Sequence, residues 1–211
     1  MIVAVAPAVL VAGLVYHPYI ANATDKDAVA EALVADTTRW GVAHLGVGIG
    51  SGLLILAFLA VRGRLREAGE ERWSSRGVPL VVLGSVLFSL LPAMEIGALA
   101  GAEAGADVAA AQRELQPWFL PVLLIGAVAF AAGMLCFSLG IARSGMLDPR
   151  LTRVVVTGLC LAAVVRVVPL GAAFYVGSVA LLAGMWPLAY ALWQDLASRS
   201  ETGARPAAVA S

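Results

Sequence analysis

The chain has 211 residues, no net formal charge, 61% hydrophobic residues and only 13% charged ones. A soluble domain carries about 25% charged residues, and a core of this size cannot hide so much apolar surface. Lipid is therefore the expected solvent, and the zero charge balance argues against a nucleic-acid partner.

A span needs about 20 apolar residues. The first candidate, residues 2–16, is short and lacks a positive leader. Ala21-Asn22-Ala23 resembles a signal-peptidase site, and cleavage there would leave five spans and remove His17. Thr24 with Asp27 predicts a capping box opening a short helix. Val29, Leu33 and Trp40 share one face of it, which reads as a helix lying on the membrane surface.

The second span, 41–61, carries Gly46, Gly48, Gly50 and Gly52 as two overlapping GxxxG pairs. His44 shares a face with Gly48, Ser51 and Gly52, so it is predicted to meet protein rather than lipid. In the third span, 78–100, Pro92 precedes Glu95 by three residues and predicts a kink beside it. Asp107 then opens an Ala-rich loop helix that runs to Gln116, before Pro117-Trp118 enters the fourth span, 118–142. Gly126, Gly133 and Gly140 recur every seventh place there, predicting near-parallel helix packing.

Val154 to Trp193 is apolar without a polar loop and too long for one helix. Pro169-Leu170-Gly171 is the natural turn, which gives a fifth span at 152–168 and a sixth at 172–193. Gly177, Gly184 and Ala191 repeat the seven-residue spacing. Residues 1–197 thus read as one all-α transmembrane domain of six helices, and 198–211 as a polar, disordered cytoplasmic tail. Cys136 and Cys160 lie in apolar segments, with no spacing that holds a metal.

Arginine sets the expected orientation. Ten basic residues flank one side (Arg62, Arg64, Arg66, Arg72, Arg76, Arg143, Arg150, Arg153, Arg199 and Arg205), against Lys26, Arg39, Arg113 and Arg166 on the other. The positive-inside rule puts the ten, and both termini, in the cytoplasm. With one lysine against thirteen arginines and so much Ala, Gly and Val, the expected setting is a bacterial cytoplasmic membrane.

An ionisable side chain inside a membrane costs several kcal/mol and needs a reason. His17, His44, Glu95 and Arg166 all fall toward the extracytoplasmic end, with Tyr16, Tyr19, Trp40, Trp118 and Tyr175 at similar depth. Snorkelling to the interface accounts for Arg166 and His17, and an interfacial belt accounts for the aromatics. Glu95 is the least ordinary of the set. A structural role predicts an ion pair with Arg166 or a hydrogen bond to His44.

Four functions fit this pattern. The first is an extracytoplasmic pocket that binds or transports a small ligand or proton through His44, Glu95 and Arg166, with contacts from His17, Tyr16, Trp40, Trp118 and Tyr175. The second is an enzyme acting on a lipid or isoprenoid, with Glu95 and His44 in general acid/base roles. The third is haem b or a metal held by His17 and His44, the only histidines. The fourth is an accessory subunit whose glycine faces bind a membrane-protein partner or a second copy of the chain. Only the third expects a cofactor.

Overall fold

The computed structural model describes residues 1–168 and 170–203, with side chains through 198. Seven helices account for most of them: α1 (Ile2–Tyr16), α2 (Lys26–Ala35), α3 (Thr37–Glu67), α4 (Arg72–Glu103), α5 (Val108–Ser144), α6 (Pro149–Val165) and α7 (Gly171–Gly203). The described residues form no strand, only an isolated antiparallel bridge between Asn22 and Leu170. Four helices, α3, α4, α5 and α7, are long and apolar enough to cross a membrane. The apolar α1 has 15 residues and α6 has 17.

Short polar residues start these helices. Asp25, Asp36, Asp107 and Asp148 each accept a bond from a backbone N–H of the first turn of α2, α3, α5 and α6. The cap of α2 is Asp25, whose Oδ1 accepts from Ala28 N–H (3.1 Å), rather than Thr24, whose hydroxyl donates to Asn22 Oδ1 (2.7 Å). Glycines with positive φ follow three of the helices, at Gly69, Gly105 and Gly145.

Two boundaries differ from the sequence expectation for the same reason. Asp36 caps a new helix, so Trp40 belongs to α3 and not to α2. Asp107 caps α5, which continues unbroken through Pro117 and Pro121. The Ala-rich loop helix is therefore the first turns of α5. Of the expected Pro169-Leu170-Gly171 turn, Pro169 lies outside the described residues. Helix α7 continues to Gly203, into the stretch expected to be disordered, and residues 204–211 also lie outside.

The six longer helices close into a ring. In order, α1 packs on α3, α3 on α4, α4 on α5, α5 on α6, α6 on α7, and α7 back on α1. The short α2 lies across α5 and α3 at one end, called here the α2 end.

Close backbone approach builds the seams. A Cβ added at Gly50 would sit 2.7 Å from the backbone of Leu10, and one at Gly84 only 2.6 Å from that of Phe130. Gly126 and Gly133 face α4, Gly184 faces α6, and Gly52 meets nothing within 4 Å. Between the helices lies a core that includes Phe58, Phe130, Phe137 and Met134.

Candidate functional site

At the α2 end the ring surrounds a cavity of about 160 Å³, lined by residues of α1, α3, α4, α5 and α7 and by Arg166, the cap of α6. Its polar lining is His17 after α1, Trp40, His44 and Ser51 on α3, Glu95 on α4, Arg166 after α6 and Tyr175 on α7. Leu10, Leu14, Val47, Leu91 and Leu123 supply much of the apolar wall. A strap closes one side: Gly171 donates its N–H to Ala21 O (2.9 Å), and Tyr175 Oη reaches His17 O (3.3 Å). The strap joins the segment after α1 to the start of α7.

Glu95 is buried at 4% exposure, and its partner is neither of those expected. Gln112 of α5, fully buried, donates from Nε2 to Glu95 Oε2 at 2.6 Å. The nearby positive charge is Lys26 of α2, and no ion pair forms with Arg166. Burial lowers the Lys26 pKa, and the field of Glu95 works in the opposite direction. The ammonium of Lys26 also sits 4.5 Å over the Phe119 ring. Gln112 is in reach because α5 starts early. Val108, Gln112, Phe119 and Leu123 lie along one helical face, so an amide stands in an otherwise apolar stripe.

Arg166 does not snorkel. It is 7% exposed, and its guanidinium lies 4.5 Å over Phe88 and 5.1 Å over Phe130, deep between α4 and α5. Its Nε has no acceptor among the described residues. The cause is the end of α6. That helix stops at Val165, and Arg166 caps it with its side chain in the ring interior.

The two histidines meet. Their ring centroids are 4.7 Å apart, edge to face, with Trp40 packed 4.4 Å from His44 and 5.0 Å from His17. His44 Nδ1 lies 2.8 Å from Trp40 O, and His17 Nδ1 lies 2.6 Å from Pro18 O. A carbonyl only accepts, so the proton of each neutral ring is assigned to Nδ1, leaving Nε2 as an acceptor.

This contact does not fit a haem held between the two imidazoles. Bis-histidine ligation places the porphyrin plane between the rings, and rings in edge contact leave no room for it. Nor does a third ligand join them, since no group of three His, Cys, Asp or Glu side chains gathers among the described residues.

Of the residues singled out in the sequence, six line the cavity: His17, Trp40, His44, Glu95, Arg166 and Tyr175. Two do not. Trp118 is 73% exposed on the outer surface, and Tyr16 is half exposed, with Arg39 stacked on its ring. The sequence reading missed Gln112, Lys26 and the phenyl rings of Phe88 and Phe130, whereas Ser51 lies on the face it shares with His44, as expected. Gln112 carried a signal in the spacing above, whereas nothing in the sequence pairs Arg166 with rings on two other helices. No known family, curated protein or solved structure matches the chain.

Proposed function

We propose that the chain is an integral membrane bundle of six spans, and that the cavity at its α2 end binds or passes a small ligand. The observation that carries this reading is the gathering of Glu95, His44, Arg166 and the half-buried His17 around one hollow, the first three of them buried. Eight basic residues, Arg62, Arg64, Arg66, Arg72, Arg76, Arg143, Arg150 and Arg153, flank the opposite end among the described residues, which supports cytoplasmic termini and a cavity facing the extracytoplasmic side of a bacterial membrane. The packing of α1 on α3 and α7 supports counting it as a span, with Trp186 Nε1 donating to Ala4 O at 2.9 Å.

Binding is favoured over general acid/base catalysis because Glu95 is already held by Gln112. A fixed carboxylate with a committed oxygen positions a ligand better than it shuttles protons. The test is ligand-dependent thermal stabilisation of the purified protein, screened with small polar metabolites. Glu95→Gln, His44→Ala and Arg166→Gln are each expected to fold, and at least one of them to lose that stabilisation. Stabilisation kept at wild-type level in all three variants overturns the reading.

A further inference from the structure

We infer that this cavity takes an organic anion, a carboxylate or phosphate group on a compact apolar body, with the anionic group seated on Arg166. The inference rests on the cavity being a ligand site and adds the class of ligand.

Charge inside the cavity is unevenly matched. Glu95 is the one carboxylate among the lining residues, and it is engaged by Gln112 with Lys26 as the nearby cation. Arg166 has no comparable partner. The phenyl rings of Phe88 and Phe130 hold its guanidinium carbon, and none of its N–H groups meets an acceptor among the described residues. A guanidinium offers five donors in a planar fork, which matches a carboxylate or phosphate in two parallel bonds.

A second donor is left over in the same wall. Trp40 Nε1 is buried without a partner, as is the Ser51 hydroxyl. Native proteins rarely leave buried donors unmet, so several in one lining point to an acceptor that comes from outside the chain. His17 and His44 present acceptor nitrogens instead, which seats the anionic group at Arg166 rather than beside the imidazoles. A cationic ligand would face Arg166 without relief, and a neutral one would leave its charge unanswered. The leucine and valine wall and the volume of about 160 Å³ fit a short apolar body.

The test uses full-length protein in a nonionic detergent and five probes: hexanoate, hexyl phosphate, hexanamide, hexylammonium and palmitate. Thermal shift and equilibrium binding are read for each. One anionic six-carbon probe is expected to bind roughly tenfold or more tighter than hexanamide, the scale of one charge-assisted hydrogen bond. Arg166→Gln should erase that preference and Arg166→Lys should keep part of it. The wild-type comparison of anion with amide needs no variant, so the inference stays testable if Arg166→Gln does not fold.

Palmitate binding without hexanoate binding would support an anion drawn from the bilayer, and the reverse would support one drawn from water. Equal binding of hexanoate, hexyl phosphate and hexanamide overturns the inference. So does the absence of binding by every anionic probe, or a preference that survives Arg166→Gln. If hexanamide or hexylammonium binds instead, and binding is lost in Glu95→Gln, the cavity remains a ligand site and only the anionic class falls. If binding is indifferent to His44, Glu95 and Arg166 alike, both readings fall together.

Discussion

Where α3 turns into α4, charged side chains are answered by their neighbours. Arg64 pairs with Glu67 at 2.6 Å and with Asp195 of α7, and Arg66 pairs with Glu71 at 2.7 Å. Glu70 accepts backbone N–H groups from Trp73 (2.6 Å) and Ser74 (3.2 Å), closing the start of α4. Arg72, Arg76 and Arg143 gather around the Trp73 ring at 5.1–5.4 Å. At the α2 end the pattern reverses. Glu95, His44 and Arg166 turn inward, and the guanidinium of Arg166 finds rings but no carboxylate. The first end is arranged as a charged rim in which most groups are met by the chain or by water, with Arg62 Nε the buried exception among the described residues. The second keeps charge in a place that weakens the fold, which makes sense if something else completes it.

The comparison yields two stability predictions at opposite ends. The larger is at the α2 end. Gln112→Leu removes the donor that holds Glu95 and leaves a buried carboxyl without it. Unfolding free energy is expected to fall by about 1.5–3 kcal/mol, the range for a lost hydrogen bond to a charged group. Chemical denaturation in detergent checks this, and a change under about 0.5 kcal/mol would mean that Glu95 does not depend on Gln112. The smaller is at the basic end. Glu70→Ala removes the acceptor for two N–H groups at the start of α4 and is expected to cost about 1 kcal/mol, as helix caps do. Binding of any ligand at the α2 end should be unchanged in that variant. A loss of binding there would show that the two ends are coupled, and would break the contrast.

Much of the scaffold was legible in the sequence because a lipid-facing helix needs little more than a long apolar run. The bounds of α1 at Ile2 and Tyr16 follow from that alone. The inward aim of His44 followed from its shared face with Gly48, whose missing side chain lets Pro92 of α4 come close. The partners within the site were less legible. Helical spacing orders residues along one helix, whereas Glu95 with Gln112, and Arg166 with Phe88 and Phe130, are meetings across helices. Asp107 before an Ala-rich run looks the same in sequence whether it opens a separate loop helix, with Gln112 outside the bundle, or caps the long α5, with Gln112 inside it. Arg166 misled for another reason. A long side chain near a helix end can snorkel, and only the tertiary placement of the α6 end decides that it does not.

The central claim is that Arg166 is kept for a ligand and not for the fold. The most direct measurement is the thermal unfolding midpoint of ligand-free Arg166→Met beside wild type in the same detergent. Methionine is unbranched and shorter than arginine but can keep a favourable contact with the Phe88 and Phe130 rings, so the largest change is the loss of the charge. A higher midpoint is predicted, because replacing a buried unpaired cation by an apolar side chain relieves its desolvation. A clearly lower midpoint would show that the cation stabilises the bundle by itself and would contradict the account.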